Sequence, residues 1–431
     1  MARRDASGAT GPSGACRPGA DPATLAGVPE YDRRVATFSV RFLGCKVSHT
    51  DAQEIRERLV GGGHEEAANA EIAVVNTCCV THEAVRKSRQ AARRAARTAR
   101  RVYVTGCGAN LAGGAFAGLP ANVRVVPLPS ERTAEVVAGD VGAVGCVRAD
   151  VGLDRVRAFV KVQDGCSFSC GFCVIPQVRG SSRSRSAAAV LAEISKRVTQ
   201  GHREVVLTGI NLGCYRDRAA GFDLPRLVRE AGATPGLARL RLSSVEVNHL
   251  TDGLVAAMRE TPTVARHLHV PLQSGDDGVL RAMGRRYTVA TFLRRAERAA
   301  GFNLTSDVIV GFPAEDEAAF ARTLDIVARA GITKVHVFPY SPRPGTRTAA
   351  ADPVPPQAKR ERSERLREAS DAACRRRWRA RLGTEDDVLV DRPGRGYADD
   401  YTPWLVDGPV GELVRARATR VTEEGIVGVA A

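Results

Sequence analysis

Three cysteines on one short loop constrain this chain of 431 residues more than any other feature of its sequence. Cys166, Cys170 and Cys173 form a C-x3-C-x2-C array directly after the apolar segment 158–162. Thiolate ligands suit iron–sulfur clusters or zinc, and a cluster of four irons normally takes four cysteines. Because the loop supplies three, one iron of such a cluster would keep an open position. Zinc is the alternative, but structural zinc sites usually close all four positions with a second cysteine pair, which this sequence lacks downstream.

The overall composition narrows the class of protein. Eleven cysteines without a secretion signal favour metal or redox chemistry in the cytoplasm over a disulfide framework. No apolar run is long enough for a transmembrane helix. Residues 1–35, rich in Gly, Ala and Pro, predict a disordered extension. The net charge of +15 favours a polyanionic partner such as nucleic acid, with a merely solvated arginine-rich surface as the alternative.

Residues 36–150 alternate strand-like and helix-like segments, which predicts an α/β domain with a parallel sheet. Three of the strand-like segments end in a cysteine, at Cys45, Cys78 and Cys107. Because the carboxyl ends of parallel strands lie along one edge of a sheet, we expect the three thiols to meet there. The alternative is that they are ordinary buried core cysteines.

Residues 151–356 contain six further strand candidates separated by helical stretches. Spacing of this kind is typical of the βα units of a barrel, whose active residues gather at the carboxyl ends of the strands. The sequence therefore predicts a partial (β/α)6 barrel with the cysteine loop after its first strand. The candidate strands lie near 159–163, 204–207, 240–242, 267–270, 304–310 and 334–338.

Residues 357–381 predict a basic helical connector, and residues 382–431 predict a small antiparallel β-barrel. Tyr397, Tyr401 and Trp404 lie between its short strands. Small barrels often bind RNA by stacking bases on such aromatic side chains. Filling of the barrel core is the alternative role for these rings.

Several motifs resemble the radical S-adenosylmethionine (SAM) methylthiotransferases. The cysteine array, with Phe172 before its third cysteine, is similar to the radical SAM signature. The segments LGCK, NTC and TGC, which contain Cys45, Cys78 and Cys107, resemble the N-terminal domain of that family. The C-terminal barrel is similar to the family's TRAM RNA-binding domain. The resemblance extends from about residue 38 to the C-terminus.

The resemblance implies two 4Fe–4S clusters and two SAM molecules per turnover. The first cluster, on the 166–173 loop, would chelate SAM and split it to a 5′-deoxyadenosyl radical, which removes a substrate hydrogen. The second, on Cys45, Cys78 and Cys107, would hold the sulfur that is methylated and transferred. Cys79 falls on a variable position and is expected to be a core thiol. A reducing protein such as flavodoxin or ferredoxin and a sulfur source are implied partners, and the enzyme is expected to be a monomer.

The resemblance also implies residues that contact the cofactor and the RNA. Those expected around SAM are Phe172, Thr208, Gly209, Asn211, Ser244, Glu246, Gln273, Asp307 and Gly311. Those expected to contact RNA or substrate are Arg179, Arg183, Arg185, Arg93, Arg97, Tyr397 and Tyr401. Arg93 and Arg97 belong to a basic helix predicted over 82–101, for which a solvated helix face is the alternative.

Three substrates recur in this family: isopentenyladenosine in tRNA, threonylcarbamoyladenosine in tRNA, and an aspartate of a ribosomal protein. The segments GCKV, LTGINLG and LSSVE are most like the threonylcarbamoyladenosine group. The expected reaction is therefore methylthiolation of carbon 2 of N6-threonylcarbamoyladenosine at position 37, next to the anticodon. A non-enzymatic zinc or iron–sulfur RNA-binding protein is the alternative from another class.

Overall fold

The computed structural model describes residues 35–111, 114–127, 135–137, 139–140 and 156–431. Apart from Val35, the extension predicted over residues 1–35 lies outside the described residues, as do Cys16 and Cys146. The part from Val35 to Ala431 forms one compact unit. Within the described ranges, no helix has the length and apolar character needed to cross a membrane.

A five-stranded sheet forms the N-terminal part, and all of its strand pairs are parallel, as predicted. The strand order is β2-β1-β3-β4-β5. The central strand β3 is buried at every position because its sequence IAVVNT is apolar on both faces. The elements are β1 (Thr37–Phe42), α1 (Lys46–Gly61), β2 (Glu65–Glu66), β3 (Ile72–Thr77), α2 (His82–Ala95), β4 (Arg101–Gly106) and β5 (Val123–Val125).

Helix α2 is shorter than predicted. It begins after Thr81, whose side chain accepts a hydrogen bond from the Ala84 backbone N–H, and it ends at Ala95 rather than near residue 101. Arg101 instead pairs with Ile72 as the first residue of β4. The chain must therefore turn back between the helix and this strand, which removes Arg97 from the helix although the sequence contains no Gly or Pro there.

Six parallel strands form the predicted partial barrel. Three of them, with the short strand β7, form the sheet β11-β8-β6-β7, and the other three form the sheet β12-β13-β14. Parallel bridges from Leu240 to Val264 and from Ser244 to His269 join the two sheets, whereas the short β7 is antiparallel to β6. The strands are β6 (Arg157–Asp164), β7 (Arg183–Ser184), β8 (Glu204–Gly209), β11 (Arg239–Leu242), β12 (His267–His269), β13 (Asn303–Val310) and β14 (Ile332–Pro339).

Helices cover the outside of this barrel and share one large apolar core with its strands. The short strands β9 (Arg216–Asp217) and β10 (Phe222–Asp223) form a separate hairpin. The helices are α3 (Ile175–Arg179), α4 (Ala187–Thr199), α5 (Leu224–Gly232), α6 (Asp252–Glu260), α7 (Asp277–Ala282), α8 (Val289–Arg298) and α9 (Glu317–Arg329).

A long helix and a closed five-stranded barrel complete the chain. Trp404 is fully buried in the barrel core. The expectation of a purely antiparallel barrel needs one correction, because β17 and β19 pair in parallel. A ring with an odd number of strands cannot alternate direction all the way round, so one pair must be parallel. The elements are α10 (Pro356–Arg379), β15 (Glu385–Arg392), β16 (Arg395–Tyr397), β17 (Pro403–Leu405), β18 (Leu413–Val421) and β19 (Ile426–Ala430).

Candidate functional site

The loop that follows β6 gathers Cys166, Cys170 and Cys173, all as free thiols of intermediate exposure. The Cys173 backbone N–H donates to the Cys170 carbonyl at 3.2 Å, and the Phe168 N–H donates to Cys166 Sγ at 3.4 Å. Burial, with the neighbouring thiols, raises the pKa of Cys173 to about 12. Three thiolates cannot share this site unless a cation compensates their charge, which is the donor chemistry of an iron–sulfur cluster.

Two of the predicted cofactor residues lie beside this loop. Arg285 connects Glu246 to it, since its guanidinium donates to Cys170 Sγ at 3.4 Å and to Glu246 Oε1 at 3.3 Å. Burial raises the pKa of the Cys166 thiol, which the nearby Asn211 side chain partly offsets, and the Asn211 backbone N–H donates to Gln163 Oε1 at 2.8 Å. Asn211 Oδ1 is buried and accepts no hydrogen bond within the described part of the chain.

Other predicted cofactor residues line the interior of the barrel. Asp307 Oδ2 lies 3.2 Å from His269 Nε2, and the bridge between His269 and Ser244 brings that serine to the same end of the strands. Gln273 adopts a left-handed backbone conformation, with φ of 64°, and its N–H donates to the Asp307 carbonyl at 2.8 Å.

Thr208 and Gly209 end β8 next to the same site. A Cβ on Gly209 would lie 3.0 Å from Gln163 Oε1, so glycine permits the close approach of these two strands.

Two predicted cofactor residues have other neighbours. A side chain at Gly311 would overlap Lys359 of α10, and Phe172 packs edge-on against Phe312 with ring centroids 6.4 Å apart. Both positions contribute to packing in this structure.

The second group of cysteines lies along one edge of the N-terminal sheet. Cys45 is exposed at the start of α1, while Cys78 and Cys107 are buried directly after the adjacent strands β3 and β4. Burial, with the nearby thiols of Cys107 and Cys45, raises the pKa of Cys78 to about 11. The three thiols are thus neighbours although they come from separate strands.

Cys79 adds a fourth thiol to this edge. It is fully buried and packs with Cys107, Val174 and Val178. Its thiol, together with the Arg179 guanidinium, lowers the pKa of Cys107 below the ordinary thiol value. The expected core thiol therefore also contacts a candidate ligand.

Helix α3 connects the two groups of cysteines. It begins two residues after Cys173 and ends at Arg179, whose Nε donates to Cys107 Sγ at 2.9 Å. The other guanidinium nitrogens donate to Asp51 Oδ2 at 2.7 Å and to the Asp164 carboxylate at 3.1 Å. Arg179 was predicted to contact RNA or substrate, but its buried guanidinium is fully occupied by protein groups. The structure therefore gives it an internal position.

The remaining predicted RNA contacts fall into separate regions. Arg183 donates to the Arg179 carbonyl at 2.8 Å, and Arg185 donates to the Lys161 carbonyl at 2.8 Å, so both border the cysteine sites. Arg93, on α2, and Arg97, beyond its end, are exposed.

Tyr397 and Tyr401 lie at the opposite end of the barrel strands. Their rings stack with centroids 5.0 Å apart, and Arg157, the first residue of β6, donates to Tyr401 Oη at 2.9 Å. Arg239 at the start of β11 donates to the Tyr397 carbonyl at 3.1 Å. These contacts place the two rings in the packing between the two barrels, whereas the core of the small barrel contains Trp404 of the three aromatic residues.

A cavity of about 850 Å³ lies between the (β/α)6 barrel and the C-terminal barrel and reaches Lys46, the residue after Cys45. The Lys46 ammonium has no ion-pair partner among the residues that the structure describes. His267 Nδ1 is buried there without a partner in the same part of the chain. The ionisable side chains that line the cavity are Lys46, Arg241, His267, His269, Lys334, His336, Asp371, Cys374, Arg375, Arg377, Arg395, Tyr401, Glu423 and Glu424.

Comparison with known proteins identifies the family of this chain. Residues 160–327 match the family described as the Radical SAM superfamily, and residues 37–126 match the Uncharacterized protein family UPF0004. The threonylcarbamoyladenosine tRNA methylthiotransferase MtaB of Chlamydia pneumoniae is 34% identical over 91% of this chain and 97% of its own length. The MtaB of Thermotoga maritima is 32% identical over 91% of this chain and 96% of its own. This chain belongs to the radical SAM methylthiotransferase family.

Two further similarities leave the substrate within this family open and show the fold. The tRNA-2-methylthio-N(6)-dimethylallyladenosine synthase of Sorangium cellulosum is 36% identical to this methylthiotransferase over 82% of the chain and 81% of its own length. Among solved structures, the radical SAM methyltransferase TsrM of Kitasatospora setae superposes with a TM-score of 0.54 at 14% identity, covering 73% of this chain and 77% of its own. The latter similarity concerns the fold.

Sequence reasoning missed several residues of the site. Arg285, Asp51 and Asp164 are polar residues at unremarkable positions, and the structure brings them to the cysteines through the tertiary fold. The one available signal was the pair Gln163-Asp164, because two adjacent polar residues end this strand directly before the cysteine loop.

Proposed function

We propose that this methylthiotransferase converts N6-threonylcarbamoyladenosine at position 37 of tRNA to its 2-methylthio derivative. The observation that carries the proposal is the pair of three-cysteine groups that α3 connects through the contact from Arg179 to Cys107. An adenine C–H has neither an acidic proton nor a leaving group, so acid–base chemistry cannot replace it and a cofactor-borne radical is required. One cysteine group would serve radical formation and the other would serve sulfur delivery.

The first group fits a 4Fe–4S cluster with SAM on its open iron. Cys166, Cys170 and Cys173 would hold the cluster, which with SAM supplies a carbon-centred radical. Arg285 neutralises part of the negative charge of the Cys170 sulfur. Asn211 Oδ1, buried without a donor in the described part of the chain, offers an acceptor for the ammonium group of SAM.

The second group fits another 4Fe–4S cluster with one open iron for sulfur. Cys45, Cys78 and Cys107 would hold it, and the exposure of Cys45 leaves one side of the site accessible. Lys46 follows that cysteine and lines the cavity. The substrate adenine would therefore lie near this side of the site.

The choice of substrate is supported by relatives and by charge. The first three curated relatives carry the MtaB name at 32–35% identity. The threonylcarbamoyl substituent carries a carboxylate, whereas the isopentenyl substituent is purely apolar. A polar cavity with an unpaired lysine suits the carboxylate, because burying a charge is costly unless it is paired. Isopentenyladenosine is the second candidate, favoured by the Sorangium relative.

We divide the chain accordingly. Residues 36–150 would form the domain of the second cluster, 151–356 the radical SAM core, 357–381 a connector, and 382–431 a TRAM-like RNA-binding domain. The enzyme would act in the cytoplasm as a monomer, with electrons from a flavodoxin or ferredoxin and a separate sulfur source.

Nucleoside mass spectrometry of bulk tRNA tests this proposal. The gene is expressed in a host that lacks both tRNA methylthiotransferases. A gene-dependent gain of one methylthio group on threonylcarbamoyladenosine is the expected result. The same gain on isopentenyladenosine would overturn the substrate while preserving the reaction. Unchanged tRNA from a host that makes cluster-loaded protein would overturn both, and ribosomal proteins would then be examined for a methylthiolated aspartate.

A further inference from the structure

We infer that Arg179 is a positioning residue whose N–H···S hydrogen bond to Cys107 raises the reduction potential of the second cluster. The inference rests on the proposed function in one respect, because it takes Cys107 as a ligand of that cluster. The sequence resemblance predicts that Arg179 contacts RNA or substrate, whereas here it acts inside the protein.

The hydrogen bond from Arg179 to Cys107 is short and buried. Arg179 Nε lies 2.9 Å from Cys107 Sγ, and the arginine side chain is only 5% exposed. Its remaining N–H groups cannot turn toward the sulfur or the solvent, because they are held by Asp51 on one side and Asp164 on the other. Lys161 also binds Asp51, at 2.8 Å, which fixes that carboxylate in turn. The donor is therefore aimed at the sulfur by a buried network.

A second side chain lies against the same sulfur. Cys79 is buried and packs with Cys107, and its backbone carbonyl accepts a hydrogen bond from Arg343 at 3.1 Å. Arg343 belongs to the loop after β14, so the barrel also holds this cysteine in place. Because the thiol is neutral and a weak donor, its contribution is smaller than that of the guanidinium.

Donors to a cysteinate sulfur withdraw electron density from it and stabilise the more negative, reduced form of an iron–sulfur cluster. A buried positive charge acts in the same direction, and low dielectric strengthens it. The direction suits the reaction. When a carbon radical joins a methylthiolate anion, one C–S bond forms and one electron is left over, so an acceptor must lie next to the sulfur. A cluster held by Cys107 would be such an acceptor, and Arg179, with a smaller contribution from Cys79, would favour its reduced state.

The first cysteine group provides a natural control. There Arg285 donates to Cys170 Sγ at a longer distance, 3.4 Å, and to Glu246 rather than to Cys107 or Cys79. A change at Arg285 should therefore move the potential of the first cluster only. A change at Arg179 should move that of the second cluster only.

The full-length protein is loaded anaerobically with iron and sulfide. A redox titration followed by EPR then measures the midpoint potential of each cluster. Variants Cys166→Ala and Cys78→Ala assign the two signals. Arg179→Lys keeps the charge and the partner carboxylates but loses the planar Nε donor, and it should lower the midpoint potential of the second cluster alone. Cys79→Ala, which removes little volume, should lower it by less. Arg285→Lys should lower the midpoint potential of the first cluster alone.

The outcomes distinguish failure of the inference about Arg179 from failure of the proposed function. If Arg179→Lys and Cys79→Ala both bind full iron and leave the second potential unchanged, the inference is wrong and the proposed function is unaffected. If Arg179→Lys fails to fold, Asp164→Asn takes its place, because it removes one of the two carboxylates that hold the guanidinium, and an unchanged second potential in that variant would overturn the inference. If wild-type protein shows one cluster signal, which Cys166→Ala removes and Cys78→Ala does not, the two-cluster function itself fails.

Discussion

The two cysteine groups of this methylthiotransferase are built in different ways. Cys166, Cys170 and Cys173 lie on one loop, so their proximity follows from the local sequence. Cys45, Cys78 and Cys107 come from three strand ends and meet only when β1, β3 and β4 pair in register. A loop can hold a metal before the domain around it has folded, whereas an edge of a sheet cannot. The second site therefore depends on tertiary structure and on the contacts that α3 makes with it.

The largest expected effect separates the chemistry of the two groups. Cys166→Ala should abolish SAM cleavage and product formation together. Cys78→Ala should abolish methylthiolation while 5′-deoxyadenosine is still released. Chromatographic quantification of 5′-deoxyadenosine beside nucleoside mass spectrometry checks both. Cys16→Ser, at a position that matches no ligand pattern, is the control and should retain both activities. Full methylthiolation by Cys78→Ala would contradict the assignment of the second cluster.

The next effect tests the dependence of the second site on the buried charge network. Asp51 is 2% exposed and binds both Lys161 and Arg179. Breaking a buried ion pair by removing one partner typically costs about 3–5 kcal/mol. Asp51→Asn should lower the free energy of unfolding by about that amount, measured by denaturant titration, and should reduce iron at the second site before the first.

An exposed ion pair supplies the matched control for Asp51. Arg229 and Glu260 lie 2.9 Å apart with side chains 46% and 61% exposed. Glu260→Gln should change the free energy of unfolding by less than about 1 kcal/mol. Equal effects of Asp51→Asn and Glu260→Gln would show that the network between the two sites contributes no special stability.

The pH dependence of the metal-free protein should have opposite signs for different cysteines. The pKa of Cys78 is raised to about 11 and that of Cys173 to about 12, so their neutral forms stabilise the fold below pH 9. This stabilisation is lost as the pH rises through 11 and 12. The Cys79 thiol and the Arg179 guanidinium lower the pKa of Cys107, so its contribution is present above the ordinary thiol pKa and is lost as the pH falls through the lowered value.

Thermal unfolding of metal-free protein between pH 6 and about pH 11 checks these signs. The unfolding midpoint should fall at the alkaline end, and Cys78→Ala should reduce that fall. If the unfolding midpoint of Cys78→Ala falls equally steeply at alkaline pH, the titration of Cys78 does not cause the fall.

A smaller effect should come from Lys46 at the border between the second site and the cavity. Lys46→Met should raise the KM for tRNA bearing threonylcarbamoyladenosine about tenfold, because one charge-assisted hydrogen bond to the carboxylate is lost. SAM cleavage should stay unchanged, and Lys46→Arg should restore most of the affinity. Steady-state kinetics with modified anticodon stem-loops measures this. An unchanged KM in Lys46→Met would leave the carboxylate without the partner proposed for it.

The sequence predicted what depends on local pattern. The six barrel strands and the strand ends that carry Cys45, Cys78 and Cys107 follow from apolar alternation and spacing, and the structure confirms those strands. The sequence could not predict where α2 ends, because the segment up to residue 101 is helix-forming by itself. The pairing of Arg101 with Ile72 is what ends the helix early. Nor could the sequence predict the position of Arg179, since burial beside Asp51 and Asp164 depends on residues distant in sequence.

The smallest effect concerns the exposed basic residues around α2. Arg93 and Arg97 are exposed and make no ion pair with any described residue. If they contact phosphates, Arg93→Glu with Arg97→Glu should weaken tRNA binding several-fold and lower the salt dependence by roughly one unit of log-log slope per lost contact. Arg86→Glu is the matched control, since Arg86 is already paired with Glu83 at 2.6 Å. Binding measured at several salt concentrations decides, and unchanged affinity and slope would assign this face to solvent.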